Sequence, residues 1–261
     1  MTEIVDAAGH VRRVKRGWMN LRVEKIVHET PDTDTFFLVD ADEGGRAFDY
    51  IAGQYLTFRF DNVESKPLVR SYTMSSSPCQ LDNCAVTVKR VDGGKISNWL
   101  CDKVKVDDVL RARGPIGKFV YDSSTDQKHL VMVAGGSGVT PFVSILREYA
   151  DKLGQSGAPH KMTLLVSHRS KSDIICATDL APLTQVAGIR IITTLSREDL
   201  SAEGFWHGRI DDAKLAQALG GTYGSATYMT CGPKAIMDQT VTHLKKMGVG
   251  DQDIKLESFE S

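Results

Sequence analysis

Short runs in which apolar and polar residues alternate fill the first half of the chain, from about residue 19 to residue 121. Turns that contain Gly, Pro or Asp separate these runs, which are NLRVEKIVHE, DTFFLVD, QYLTFRF, CAVTVKRV and DVLRARGP. A period of two in β-branched and aromatic residues is typical of strands, and the close spacing predicts a small antiparallel barrel or sandwich. One helix is predicted in this half, at KISNWLCDKV.

After residue 122 the pattern changes to buried strands that alternate with helices. Apolar runs predict strands at HLVMVAGG, KMTLLVSHR, IRIITTLS and ATYMTCG, and helical spacing appears in TPFVSILREYADKL and PKAIMDQTVTHLKKMG. Such strands favour a parallel sheet covered on both faces. We therefore predict a poorly ordered extension at residues 1–18, an antiparallel β-barrel domain at 19–124 and an α/β parallel-sheet domain at 125–261.

Charge and chain length narrow the class of protein. The 261 residues are enough for two domains of ordinary size. Lys and Arg number 32 against 33 Asp and Glu, so no excess of positive charge indicates a nucleic acid or an anionic membrane as partner. The N-terminus lacks an apolar signal region, and no window approaches 18 consecutive apolar residues. The sequence therefore predicts a cytoplasmic protein that binds neither nucleic acid nor membrane.

Five cysteines, an odd number in a chain without a signal sequence, favour free thiols over a disulfide framework. Cys79 and Cys84 are spaced like the first two ligands of a plant-type iron–sulfur cluster. The third ligand of that pattern would fall at residue 87, which is Thr87. We therefore predict neither a cluster nor another metal site.

The stretch RSYTMSSSP, residues 70–78, combines a guanidinium, an aromatic ring and several hydroxyl groups directly after a predicted strand. An anionic ligand with an aromatic part would use all three groups. Ser75, Ser76 and Ser77 have a second interpretation as a simple polar turn, and both interpretations stay open.

A second motif, VAGGSGVTPFVSIL at residues 133–146, follows a buried strand and opens a helix. Its glycines let backbone N–H groups approach an anion, to which the N-terminus of the helix adds a favourable dipole. The motif therefore indicates a pyrophosphate site, with a plain tight turn as the alternative. It has neither the G-x-G-x-x-G spacing of a Rossmann dehydrogenase nor the G-K-[ST] of a P-loop.

Five motifs in a fixed order carry a resemblance over residues 19–261: RSYT, GGKIS at 93–97, GGSGVTP, TCGP at 230–233 and ESF at 257–259. The chain resembles the ferredoxin–NADP reductase family, in particular the flavin-containing reductase components of bacterial oxygenases and of the hybrid-cluster protein. The resemblance implies an FAD-binding antiparallel β-barrel followed by an NAD(P)-binding α/β domain. The implied activity is that of an FAD-dependent NAD(P)H oxidoreductase.

The resemblance also implies the FAD contacts. Arg70 would pair with the pyrophosphate, Tyr72 would stack on the flavin, and Thr73 would offer its hydroxyl near flavin N5. Backbone groups of the strand before GGKIS would line the flavin, and the GGKIS turn would hold the pyrophosphate. The full predicted set is Arg70, Ser71, Tyr72, Thr73, Val88, Lys89, Gly94, Lys95, Ile96, Ser97 and Phe259. A hairpin turn with a helix cap at GGKIS, and a solvent-facing Lys89, stay open as alternatives.

In the second domain the resemblance places Thr140 between the two cofactors, Cys231 beside the nicotinamide, and Glu257 where it relays a proton to the flavin. With Thr73, Cys231 and Glu257 form the predicted catalytic set. The predicted NAD(P)H contacts are Gly135, Gly136, Ser137, Gly138, Thr140, His168, Arg169, Ser196, Arg197, Cys231, Gly232 and Pro233. An inert core thiol at Cys231, a strand-end cap at His168 and a frayed terminus around Glu257 are the alternatives.

The choice of nicotinamide cofactor stays open between NADPH and NADH. Ser196 and Arg197 match the S-R-E with which NADPH-selective relatives hold the 2′-phosphate. The K-x-Y partner of that pattern is missing, and FWHGRI stands in its place.

The implied electron acceptor is a ferredoxin, a flavodoxin, a domain with a two-iron, two-sulfur (2Fe-2S) cluster, or an oxygenase component. Relatives of this type often continue beyond E-S-F into such a 2Fe-2S domain. A complete reductase with a separate acceptor, and a chain cut at that junction, are both compatible with the sequence. A free flavin or ferric reductase, and a non-catalytic nucleotide sensor on the same fold, are the rival functions.

Overall fold

The computed structural model describes residues 2–5, 11–15, 17–221 and 223–259. The chain folds into two compact units, residues 1–120 and 121–261. No helix in the described ranges is both long enough and apolar enough to span a membrane.

The first unit contains an antiparallel sheet of six strands in the order β6-β5-β8-β3-β4-β7. The alternation predicted from the sequence is present, since Met19, Leu21 and Val23 point into the core while the residues between them are more exposed. The elements of this unit are β1 (Thr2–Val5), β2 (Val11–Val14), β3 (Met19–Thr30), β4 (Thr33–Asp40), β5 (Tyr55–Phe60), β6 (Leu68–Thr73), β7 (Cys84–Lys89), α1 (Lys95–Lys103) and β8 (Val109–Ile116).

Part of the N-terminal region, for which the sequence analysis predicts poor order, has regular structure. Strands β1 and β2 pair in an antiparallel hairpin. The Arg13 amide donates to Asp49 Oδ2 at 2.8 Å, and Lys15 Nζ lies 2.5 Å from Asp40 Oδ2. Asp49 is 36 residues from Arg13 in the sequence, and Asp40 is 25 residues from Lys15. A local sequence pattern therefore does not reveal these contacts.

The second unit is a parallel sheet of six strands in the order β12-β11-β10-β9-β13-β14, with helices packed on it. Its elements are β9 (His129–Gly135), α2 (Thr140–Tyr149), β10 (Lys161–His168), α3 (Ala177–Leu183), β11 (Ile189–Leu195), β12 (Trp206–His207), α4 (Asp212–Leu219), β13 (Ala226–Cys231), α5 (Lys234–Lys246) and β14 (Ile254–Glu257). The four predicted strands are confirmed, and β12 and β14 add an edge strand on each side.

The central strand β9 shows why this unit has the pattern of a sheet covered on both faces. Every residue of β9 after His129 is buried. On one face, Val131 packs with Tyr228 and with Leu244 of α5. The antiparallel barrel and the parallel α/β unit are thus both present as predicted.

The half-buried imidazole of His129 makes stability sensitive to acid. Burial, and secondarily the charge of Lys161, lower its pKa from 6.5 to about 4. Since the unfolded chain then binds a proton that the folded chain does not, stability declines as the pH falls from about 6.5 to 4. We expect His129→Gln to remove about 1 to 2 kcal/mol of this decline, measured by urea unfolding across that pH range. The exposed His160, changed to Gln, is the control; equal pH profiles for H129Q and the parent would contradict the assignment.

Candidate functional site

An open seam separates the two edge strands of the barrel. Strand β6 pairs with β5 on one side, and β7 pairs with β4 on one side. Where β6 and β7 approach each other, the described residues form a single bridge between Met74 and Val86. The antiparallel register would continue with Tyr72 opposite Val88, yet no ladder forms there. Backbone groups along residues 70–73 and 87–89 therefore face the seam, where a ligand can satisfy them.

The predicted flavin residues of β6 lie along this seam. Arg70 is exposed. Among the described residues, its guanidinium donates one hydrogen bond, to the carbonyl of Val69 at 2.7 Å. Tyr72 is half-buried, with its ring centroid 6.0 Å from that of Phe58. Burial, and then the nearby thiol of Cys101, raise the pKa of the Tyr72 phenol, so that it stays neutral. Thr73 is buried at the end of the strand.

Beyond Thr73, the three serines close one end of the seam. Ser76 Oγ lies 2.6 Å from the Tyr50 hydroxyl and accepts from the Ala85 amide at 2.8 Å. Ser77 Oγ accepts from the Cys79 amide at 3.1 Å. All three serines are buried, Ser75 included. Ser76 therefore fastens the end of β6 to its neighbours, whereas the Ser77 bond lies within its own turn. A contact of these serines with a ligand stays a prediction.

The N-terminus of α1 follows β7 directly and offers an anion site. Gly94 caps the helix, and no acidic residue lies in the first turn. The N–H groups of Lys95, Ile96 and Ser97 have no partner within the helix. A Cβ at Gly94 would lie 2.7 Å from Ser97 Oγ, which accepts from the Val91 amide at 3.2 Å, so a larger residue would push this turn apart.

The side chains of Lys89 and Lys95, two of the predicted FAD contacts, form ion pairs within the first unit. Lys89 Nζ lies 2.5 Å from Asp32 Oδ1, and Lys95 Nζ lies 2.9 Å from Glu64 Oε1. The predicted contacts of Lys89 and Lys95 with FAD, through their backbone groups, are compatible with these ion pairs. The motifs in the sequence do not predict Asp32 and Glu64 as the ion-pair partners of these lysines.

In the second unit, two glycine-containing turns touch through their backbones. A Cβ at Gly138 would lie 2.2 Å from the carbonyl oxygen of Cys231, and a Cβ at Gly232 would lie 2.7 Å from the carbonyl oxygen of Gly135. Gly232 also has φ +133°, a conformation that favours glycine. Pro233 follows, exposed, as the N-cap of α5. The turn after β9 and the turn after β13 thus form one cradle.

The turn after β9 is a single 3₁₀ turn, Gly136–Val139, from which α2 continues. Gly136 and Ser137 are partly exposed within it. Thr140 is buried, and its hydroxyl donates to the carbonyl of Ser137 at 3.0 Å. This hydroxyl therefore stabilises the turn. The place of Thr140 between the two cofactors stays a prediction.

Cys231 and Glu257 are opposite each other on the parallel strands β13 and β14. Burial, and then the charge of Glu257, raise the pKa of the Cys231 thiol, so that the thiol stays protonated. Glu257 lies in a paired strand, which removes the alternative of a frayed terminus for this residue. Phe259 lies beyond the strand and is 42% exposed.

The four predicted residues on the ribose-phosphate side come together at the ends of β10 and β11. The Ser196 amide donates to the His168 carbonyl at 2.9 Å, and the Arg197 amide donates to the Arg169 carbonyl at 2.8 Å. Arg169 and Arg197 are exposed and adjacent, whereas His168 is buried.

A shallow cleft of about 510 Å³ lies further out at the β12 edge and contains none of the predicted site residues. It is lined by Ser201, Gly204, Phe205, Trp206, His207, Asp211, Ala213, Lys214 and Gln217. Within the described ranges, no three His, Cys, Asp or Glu side chains are grouped so as to hold a metal ion.

Comparisons with known proteins agree with this division of the site. Residues 20–121 match the family model of the oxidoreductase FAD-binding domain, and residues 132–242 match that of the oxidoreductase NAD-binding domain. The ferredoxin reductase component of 3-ketosteroid-9-alpha-monooxygenase from Rhodococcus rhodochrous is 32% identical over 92% of this chain and 65% of its own length. NADH oxidoreductase HCR from Escherichia coli K12 is 33% identical over 88% of this chain and 65% of its own length.

Among solved structures, the flavohem-like FAD/NAD-binding domain of a nitric oxide dioxygenase from Vibrio cholerae superposes with a TM-score of 0.79 at 26% identity. The match covers 92% of this chain and 98% of that domain. The class is therefore a two-domain oxidoreductase that binds FAD and a nicotinamide nucleotide. The chain belongs to the ferredoxin–NADP reductase family, and it spans 65% of the length of the two relatives named above. The seam, the α1 N-terminus and the glycine cradle are compatible with FAD in the first unit and NAD(P)H in the second.

The contact of Gly138 with Cys231 predicts a large effect of one methyl group. Gly138→Ala puts a Cβ against the Cys231 carbonyl, so we expect a loss of about 2 to 3 kcal/mol in the free energy of unfolding, measured by urea titration. Gly224→Ala, where a Cβ meets nothing within 4 Å, should change stability by less than about 0.5 kcal/mol. If G138A were as stable as G224A, the two turns would not be in backbone contact.

Proposed function

We propose that this chain is the reductase of an electron-transfer system. NAD(P)H supplies two electrons, and a ferredoxin, a flavodoxin, a 2Fe-2S domain or an oxygenase component receives them one at a time. Bound FAD supplies the required chemistry, since it accepts a hydride and releases single electrons. The observation that carries the proposal is the open seam beside residues 70–73, in a chain whose other unit has a cradle of two glycine-containing turns.

In the first unit the chain's own groups bind and orient FAD. Arg70 has no carboxylate partner among the described residues, which suits pairing with a pyrophosphate. The first-turn N–H groups of α1 would share that charge. The neutral ring of Tyr72 would cover the flavin, and Thr73 would donate a hydrogen bond at the atom that receives the hydride.

In the second unit the cradle would hold the pyrophosphate of NAD(P)H against the backbone of residues 135–138. Cys231, neutral and buried, would act by its position beside the nicotinamide. Glu257 would hold a proton for the flavin. Arg169 and Arg197 provide positive charge on the ribose-phosphate side, with NADPH and NADH as the two nucleotides to compare.

The acceptor and the compartment belong to the same proposal. The relatives include proteins named as reductase components of monooxygenases, which supports an oxygenase or a ferredoxin as the acceptor. All five cysteines are free thiols, which supports the reducing environment of the cytoplasm. FAD that remains bound through gel filtration would argue against flavin as a mere substrate, as in a free flavin reductase.

The proposal predicts a selective effect of Thr73→Ala. Loss of the hydroxyl should slow reduction of bound FAD by NAD(P)H at least about tenfold, while FAD affinity changes far less. Anaerobic stopped-flow absorbance with NADH and NADPH in turn measures the rate, and flavin fluorescence measures the affinity. Thr227→Ala is the control, since its buried hydroxyl accepts from the Gln127 amide in the second unit. Equal reduction rates for T73A and the parent would count against the role, and a parent whose FAD neither nucleotide reduces would overturn the proposed function.

A further inference from the structure

A continuous chain of buried hydroxyl groups crosses the barrel sheet from the seam to the surface. Ser75 Oγ lies 2.8 Å from Thr87 Oγ1, which lies 2.7 Å from Thr35 Oγ1, which lies 2.8 Å from Glu29 Oε1. The three hydroxyl residues are 3 to 4% exposed, and Glu29 is half-buried at the outer end. We call these four residues the hydroxyl chain.

The sheet register lines these residues up. Thr35 and Thr87 are direct partners across β4 and β7. Ser75 follows the Met74–Val86 bridge, and its amide donates to the carbonyl of Ala85. Valine would satisfy a buried strand position without a polar atom, as it does at Val86 and Val88 on either side of Thr87. Three consecutive buried hydroxyls that end on a carboxyl group are therefore more than strand packing requires.

Proton counting gives the hydroxyl chain two fully bonded arrangements. Each hydroxyl has one proton to donate. In the structure Thr87 donates to Ser75 Oγ, and the Ser75 hydroxyl donates to the Ala85 carbonyl at 3.4 Å. With Glu29 ionised, all three hydroxyls donate toward Glu29 once the Ser75 hydroxyl turns from that carbonyl to Thr87. With Glu29 protonated, its proton is donated to Thr35 and all bonds run toward Ser75. The two arrangements differ by one proton, which enters at Ser75 and arrives at Glu29.

The inner end of the hydroxyl chain lies beside the proposed flavin site. In the antiparallel register that the Met74–Val86 bridge begins, Thr87 is opposite Thr73, and Ser75 lies just past the bridge. Thr87 is next to Val88, a predicted flavin-lining position. We propose that the hydroxyl chain is a proton relay between the flavin site and solvent; this inference rests on the proposed function.

The reaction requires such an exit. Oxidation of NAD(P)H to NAD(P)⁺ yields two electrons and one proton, and an acceptor that takes only electrons leaves the proton behind. That proton moves to Ser75 Oγ as the Ser75 proton moves to Thr87, the Thr87 proton to Thr35, and the Thr35 proton to Glu29 Oε1. Glu29 then releases it to water, and the hydroxyls rotate back.

The test measures proton release separately from nucleotide oxidation. FAD-loaded protein is photoreduced and mixed anaerobically with ferricyanide, a one-electron oxidant, in weak buffer with a pH indicator. We expect Thr87→Val and Thr35→Val to slow proton release at least tenfold, and Thr87→Ser, which keeps the hydroxyl, to restore the parent rate. Thr57→Val is the matched control, because its hydroxyl lies 3.1 Å from Ser71 Oγ in the same sheet but outside the hydroxyl chain.

Two further variants keep the outcome decisive. Each change is also made in a Glu257→Gln background, since Glu257 offers a second carboxyl group. Glu29→Gln keeps the size of the outer residue and should slow release even if T87V proves unstable. Parent-like proton release in both T87V and E29Q, in the E257Q background, overturns the relay. Because photoreduction replaces NAD(P)H, failure of the relay is distinguishable from failure of the proposed function, which would appear as unreduced FAD in the presence of either nucleotide.

Discussion

Backbone polar groups at a sheet edge need partners, and this requirement organises the first unit. The edge strands β6 and β7 meet at one bridge, Met74–Val86, and then separate. On one side of the bridge Ser75 and Ser76 are hydrogen-bonded to Ala85, and on the other side the edges stay open. The first turn of α1 begins just beyond β7 with further unpaired N–H groups. A ligand with a flat polar ring and a pyrophosphate matches both sets of groups.

In the second unit, glycine residues allow two backbone turns to approach each other closely. Where Gly138 approaches Cys231 and Gly232 approaches Gly135, no side chain fits between the turns. This close approach fixes Cys231 at the end of β13, opposite Glu257. The proposed nucleotide site and the placement of the thiol therefore depend on the same backbone contact.

Much of this could be predicted from the sequence, because its periodicities are local. Alternation predicted β3, β4, β5, β7 and β8, and apolar runs predicted four parallel strands. Strand β6 was not predicted, since RSYT was placed after a strand, whereas residues 70–73 lie inside a strand of their own. Helix α4 was not predicted either. Elements with weak local signals were missed: β12 has two residues, and α3 has seven with Pro182 inside. The pairing of β14 and the hydroxyl chain were missed for another reason. Thr35, Ser75 and Thr87 meet only through strand register, which no local pattern contains.

The central claim, that the seam between β6 and β7 is the FAD site, can be tested by hydrogen–deuterium exchange of backbone amides with and without FAD. We expect FAD to slow exchange at residues 70–73, 87–89 and 94–97, while exchange in β12 and α4 of the second unit is unchanged. If those three segments exchange equally fast in the presence of saturating FAD, the flavin binds elsewhere and the account is contradicted.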